Sequence, residues 1–260
     1  MSKPATKSEP TWGRFQQASR DDRYRMLWSS QGPGGAGKTH FGLTAPDPIA
    51  VQLFDPAGLE GLTRQSLFRD KDIRVIEYKF NPVAIPKEDR PKVAEDTLGE
   101  FLEDFTTGIK LGRTILWDKE DYVWELMRYA SFDAFTDKPA NYYELNLQYR
   151  NLFQLAADNG VNFGVIRGMK EKWGKTGTNR QTGAATYGGL GIDVPRGMKE
   201  VPELVQVNLA HEWVEGDGFK IKILEKCRLN GDLVGQEFGS LTFTDLALAL
   251  YPESAPEDWA

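Results

Sequence analysis

From Tyr24 onward the chain alternates short apolar runs with longer stretches of helical period. The runs RMLWSS (25–30), PIAVQLFD (48–55), IRVIEYKF (73–80), TILWD (114–118) and VNFGVIRGM (161–169) are bounded by turn residues and read as strands. Residues 38–45, 57–68, 92–110, 120–130 and 141–158 lie between them and are predicted as helices. In YYELNLQYRNLFQLAADNG, the side chains of Leu145, Tyr149, Leu152, Phe153, Leu155 and Ala156 recur at helical spacing before an Asn-Gly stop. This alternation predicts an α/β fold, a mostly parallel sheet with helices on both faces.

The last third changes character. ELVQVNLAHEWVEGDGFKIKILEKCRLN alternates about a central Glu-Gly-Asp-Gly and predicts a C-terminal antiparallel hairpin. A further strand near 236–243 and a short helix at 244–250 would close a main domain spanning 24–251. Residues 174–200, rich in Gly and Thr, exceed an ordinary connection and predict a mobile loop with a functional role. Residues 1–23 are polar and without period, as in a flexible arm, and 252–260 form an acidic tail. That tail is read as a solvated face, or as a partner-docking segment through Trp259.

Composition narrows the classes. With 260 residues, 40% hydrophobic and 27% charged, the chain can bury a sizeable core. No apolar run approaches a membrane span, and the N-terminal stretch lacks the apolar centre of a secretory signal. A cytoplasmic protein that touches no membrane is expected. The single Cys227 excludes an internal disulfide, and with two histidines it makes no zinc set. A formal charge of −6 argues against a uniformly basic coat, so any grip on nucleic acid must be local.

The densest chemical signal is SSQGPGGAGKTHFGL, residues 29–43. Gly32, Gly37, Lys38 and Thr39 satisfy G-x-x-x-x-G-K-[ST], with a strand before and helix formers after. At average residue frequencies a chance match has odds of about 1 in 100. A loop of Gly32, Pro33, Gly34, Gly35, Ala36 and Gly37 can turn its amides toward a β-phosphate while Lys38 reaches the β- and γ-phosphates. The hydroxyl of Thr39 suits Mg2+, so ATP with Mg2+ is the expected ligand. Such a loop needs an acid for the metal, expected at the end of a strand next to the first. Asp118, closing TILWD, fits that role and equally suits a helix N-cap, with Asp55 as its rival. Glu120 is a candidate to orient or deprotonate water, and also an ordinary first-turn charge.

Together with LFDPAGLEGL, TILWD, the helix YYELNLQYRNLFQLA, NFGVIRGMKEKW and VPRGMKEVPELVQVNLAHEW, the motif GPGGAGKTH makes the chain resemble the phage-encoded RecA-like P-loop ATPases. The closest likeness is to their single-strand annealing and recombination group, and it spans about residues 25–245. It implies a RecA-like core, ATP binding and hydrolysis coupled to single-stranded DNA, a homo-oligomer, and a single-strand-binding or recombination partner protein. If phage-encoded, the protein would work in the host cytoplasm. Two departures stand out. Relatives tend to carry an acid two residues after the aspartate ending the second strand, where this chain has Ala57. After the fifth strand, where relatives often show a polar Thr-Ala-His-like stretch, it has Arg167, Gly168 and Met169, so γ-phosphate sensing would pass to Arg167, Lys170 or Lys172.

Between 167 and 199 stand Arg167, Lys170, Lys172, Lys175, Arg180, Arg196 and Lys199 against Glu171 and Asp193. With Trp173 and Tyr187 available to stack on bases, the segment is a candidate DNA-binding surface, or else a solvated basic loop. Two other functions compete with a DNA-dependent ATPase. One is a nucleotide-dependent DNA-binding scaffold with little turnover, suggested by Ala57; the other is a P-loop kinase of a small acceptor with the basic segment as its lid. His40 and His211 are read as packing residues.

Overall fold

The structure is a computed structural model that describes residues 24–54, 59, 61, 63–132, 142–178, 185–225 and 227–259. Strands β1 (Leu27–Gln31), β2 (Ile49–Leu53), β3 (Ile73–Glu77), β4 (Thr114–Asp118) and β5 (Asn162–Arg167) alternate with helices. The helices are α1 (Lys38–Leu43), α2 (Arg90–Leu111), α3 (Glu120–Ser131) and α4 (Tyr142–Asp158). There follow β6 (Met169–Thr178), β7 (Ala185–Pro195), α5 (Val201–Leu204), β8 (Val207–Val214), β9 (Gly218–Ile223), β10 (Glu237–Phe238) and α6 (Phe243–Leu250). Eight strands form one sheet in the order β10-β9-β8-β1-β5-β4-β2-β3, and β6 pairs with β7 in a separate two-stranded sheet. All neighbours from β8 through β3 are parallel, while β9 and β10 run antiparallel at one edge. The fold is therefore α/β, with a mostly parallel sheet.

The two-residue period of the strands sorts their side chains into two cores. Leu27, Ile115, Trp117, Phe163 and Val165 point to one face, against Phe101, Phe105, Val123, Leu126, Tyr149 and Phe153 of α2, α3 and α4. Trp28, Val51, Leu53, Leu116, Ile166 and Leu209 point to the other, against Phe41 of α1 and Phe243, Leu246 and Leu250 of α6. Helix α2 forms because Ala94, Phe101, Phe105 and Ile109 return to one stripe, with Pro91 at its first turn and Gly112 at its end. The stripe expected on α4 is found in part: Leu145, Tyr149, Phe153 and Ala156 are buried and Leu152 partly so, whereas Leu155 is exposed.

Several expectations need correction. The region 174–200 is largely a β-hairpin: β6 and β7 pair antiparallel from Met169↔Pro195 to Thr178↔Ala185, with register shifts after Glu171 and Lys175. Its Gly and Thr content misled because bulged, solvent-exposed strands need no apolar alternation. In place of a helix over 57–68, the described residues form turns and a 3-10 turn at Ser66–Phe68. The third strand near the C-terminus shrinks to Glu237–Phe238. The acidic tail folds back, since Trp259 is 2% exposed and packs on Tyr24, Phe243 and Tyr251. Its indole N–H donates to Ser254 Oγ at 2.9 Å. The expected arm, 1–23, lies outside the described residues. Among the described residues no helix is long and apolar enough to cross a membrane.

One polar residue sits in the middle of an apolar strand. Gln52 of β2 accepts from Trp117 Nε1 at 2.8 Å and donates to Tyr78 Oη and the Phe101 carbonyl, both at 2.9 Å. Gln52→Met keeps the volume and strands these partners, so it is expected to lower the unfolding free energy by about 2–3 kcal/mol. Urea titration measures this, and a loss under about 0.5 kcal/mol would mean the three groups find other partners.

Candidate functional site

At the C-terminal tips of the parallel strands lies a cavity of about 910 Å³, lined by every residue from Gly32 to His40. The chain leaves β1 at Gln31 and returns at Lys38 as α1. Gly37 stands between them at φ 83°, where a Cβ would also come within 2.9 Å of the Phe219 ring. Both the backbone conformation and the space demand glycine there. Lys38 Nζ donates to the carbonyls of Gly32 at 2.9 Å and Pro33 at 2.6 Å, which folds its side chain over the loop. Burial pulls the Lys38 ammonium below the usual lysine range; Asp118 opposes this, Lys119 adds to it and Asp121 opposes it. An anion entering the cavity would restore what burial has removed.

Thr39 Oγ1 donates to Asp118 Oδ2 at 3.0 Å, across 79 residues of sequence. Asp118 is 4% exposed and lines the same cavity. Its strand is not the neighbour of β1, as expected, because β5 lies between β1 and β4. The pair still meets because α1 leads Thr39 back over the tip of β5, whose small Gly168 also lines the cavity. Lys119 follows in a left-handed conformation, φ 74°, rare for a residue with a side chain. That turn begins α3 at once and sets Asp121 on the cavity wall.

Hydroxyl and carboxylate oxygens held this close suit a hard divalent cation such as Mg2+. Among the described residues no group of three His, Cys, Asp or Glu side chains forms a cage of its own.

Glu120 does not face this cavity. It is fully buried, accepting from Tyr149 Oη at 2.5 Å, Arg167 Nε at 3.2 Å and the Met198 amide at 3.2 Å. Burial pushes its carboxyl up, against the pull of Arg167, Tyr149 and the Met198 amide. With its oxygens committed to three donors and no solvent beside it, Glu120 is corrected from a water-activating candidate to one half of an internal ion pair. Arg167, the other half, is 2% exposed and also donates to the carbonyls of Arg196 and Met198 at 2.7 and 2.8 Å. It is corrected from DNA contact and phosphate sensor to a clamp on the segment that leaves β7. Gly197 completes the clamp, because a Cβ there would fall 2.0 Å from Glu120 Oε2.

Of the remaining DNA-contact candidates, Lys170, Lys172 and Trp173 line one cavity. Lys170, Lys172, Trp173 and Lys175 all lie on β6 and are exposed, Trp173 by 72%. A second cavity of about 660 Å³ at the hairpin root is lined by Lys170, Lys172, Trp173 and Lys199. Lys170 and Glu171 line both cavities, so β6 is a shared wall. Asp55 and Arg180 lie outside the described residues, as does the side chain of Tyr187.

Sequence reasoning overlooked Asp121 and Phe219 and placed Arg196 only in the basic segment; all three line the main cavity. The first could be found from its place three residues after Asp118, in the first turn of the helix that follows the strand. The other two come from segments distant in sequence and carry no local signal. The histidines are packing residues, as expected. His40 meets Phe68 edge-on and stacks on Phe219. His211 Nε2 lies 3.0 Å from Ser30 Oγ, and burial, followed by the nearby Lys38 charge, pulls the imidazole down to about 3.

Two measurements follow. Either Glu120→Gln or Arg167→Met leaves a buried charge unpaired and is expected to cost about 3–5 kcal/mol. The double variant Glu120→Gln/Arg167→Met should lose less than the sum, and strict additivity in denaturant unfolding would deny the pairing. For His211 the folded state refuses a proton that the unfolded chain accepts below about 6.5. Stability therefore rises with pH between about 3 and about 6.5. Between pH 7.5 and pH 4.5, His211→Gln should lose about 2–3 kcal/mol less stability than the natural protein; equal losses would count against a neutral His211.

Compared with models of known protein families and with curated proteins, the chain matches none of them.

Proposed function

We propose that the chain is a RecA-like P-loop protein that binds ATP with Mg2+, hydrolyses it, and acts on single-stranded DNA in recombination or annealing. One observation carries this reading: the loop 32–37, Lys38, and the Thr39–Asp118 hydrogen bond converge on a single cavity. Loop amides and the Lys38 ammonium would hold the phosphate oxygens, and Thr39 with Asp118 would hold the cation. When bound, Mg2+ supplies charge neutralisation between the β- and γ-phosphates. The DNA part is supported by the hairpin, where an exposed indole stands among lysines beside a second cavity. An aromatic face takes a base and ammonium groups take the backbone.

The scaffold reading, nucleotide-dependent DNA binding with little turnover, is favoured by one finding: Glu120 is sequestered with Arg167. Steady-state phosphate release with and without single-stranded DNA separates the two.

Calorimetric titration with Mg2+ and ATP is expected to show binding that Lys38→Ala weakens about 100-fold, the loss of a charged donor worth about 3 kcal/mol. Trp173→Ala should leave that affinity intact and weaken single-stranded DNA binding at least about 5-fold. A natural protein that takes up no nucleotide would overturn the whole reading, whereas one that binds without releasing phosphate would leave only the scaffold.

A further inference from the structure

Arg196 is the one arginine lining the main cavity among the described residues, and its mounting is unusual. Its amide donates to the Gly168 carbonyl at 2.9 Å, and its own carbonyl accepts from the buried Arg167. Its Nε donates to the Met169 carbonyl at 3.0 Å, and the side chain crosses Gly168, with Cδ 3.5 Å from where a Cβ would stand. Gly168 caps β5, and β5 lies between the strand that leads into the loop and the strand that ends in Asp118. The guanidinium is thus anchored at the tip of β5, on the cavity that Lys38 and Asp118 also line.

The far end of the side chain is loosely held. Its Nη1 lies 3.9 Å from Asp121 Oδ2, beyond hydrogen-bond range, and the side chain is 51% exposed. Asp121 is only 10% exposed, and its Oδ1 is buried without a hydrogen-bond partner. A guanidinium fixed at Nε, with its terminal nitrogens weakly opposed by Asp121 and within reach of the Glu125 charge, can exchange Asp121 for a phosphate by a small rotation. Its planar fork matches two phosphate oxygens.

We propose that Arg196 reads the terminal phosphate of a bound nucleoside triphosphate from within the same chain, and that Asp121 is its resting partner when that phosphate is absent. The inference rests on the nucleotide-binding reading and deepens it. Arg196 directly follows β7 and is bolted to the hairpin root, so the same side chain links the triphosphate to the strand that carries Trp173.

The test compares the affinities for ADP and for a non-hydrolysable ATP analogue, each with Mg2+, in the natural protein, Arg196→Gln and Asp121→Asn. Melting curves check folding, and calorimetry reads binding. The natural protein should prefer the triphosphate by about 10- to 100-fold, the range for a charged hydrogen-bond pair. Arg196→Gln should bring that ratio close to one while ADP affinity changes less than about threefold. Asp121→Asn removes the competing acceptor and leaves the anchoring contacts of Arg196 in place; it should raise the ratio. The inference is overturned if the natural protein does not prefer the triphosphate, or if Arg196→Gln retains the preference. An equal fall in both affinities overturns it as well, because that marks a structural support, and so does an unchanged or lowered ratio in Asp121→Asn. A natural protein that binds neither nucleotide fails the parent reading instead, a result distinct from all of these.

Discussion

The ion pair between Glu120 and Arg167 ties together four segments that are far apart in sequence. Glu120 opens α3, Arg167 closes β5, Tyr149 belongs to α4, and Arg196 and Met198 belong to the chain leaving the hairpin. Removing two charges from water costs several kcal/mol each, and the pair survives because nearly every lone pair and N–H is spent on a partner. Such a contact does little for net stability beside an apolar replacement of equal volume. What it does is permit one arrangement. The root of a bulged and exposed hairpin has few apolar contacts of its own, and the guanidinium supplies the fixed point from which it departs.

That fixed point lies where a parallel sheet concentrates function. The strands from β8 to β3 all end on one side, so the loops that follow β1, β4 and β5 converge without being near in sequence. Their apolar interiors fill the two cores, and polar residues begin where each strand runs out: Gly32 after β1, Lys119 after β4, Gly168 after β5. Asp118 and Arg167 mark the two fates of a charge at such a tip. Asp118 lines the cavity and accepts from Thr39, whereas Arg167 is held inward by the carbonyls of Arg196 and Met198.

Much of this was legible in the sequence because it is local. The strands TILWD and IAVQL are short apolar runs with sharp ends, and α4 shows its stripe over four turns. The loop before Lys38 is readable from glycine spacing alone. Register and neighbours are not local: the strand between β1 and β4 was misplaced because strand order is decided by which helices cover which face. The fate of Glu120 was hidden for the same reason. Its position favours a water-facing role, and only Tyr149, 29 residues on, and Met198, 78 residues on, withdraw it. The hairpin was hidden differently, since β6 and β7 have no buried face to enforce alternation, and Gly and Thr there look like a loop.

Charge balance limits what the main cavity can accept. Its lining carries Lys38, Lys119, Lys170 and Arg196 against Asp118, Asp121, Glu171 and Asp193, so the fixed charges cancel. A triphosphate entering such a site gains little from the cations unless the carboxylates are engaged elsewhere at the same time. A divalent cation shared between the phosphates and Asp118 meets that need for one of them. Glu171 is already partly occupied, accepting from the Gly191 amide at 2.9 Å within the hairpin. Asp121 and Asp193 remain, and release of Arg196 by Asp121 would shift one positive charge toward the phosphates. For a metal-bound triphosphate, the proposed ligand, selectivity would then come from rearranging charges already present, and the loop with its lysine would be necessary for that but not sufficient.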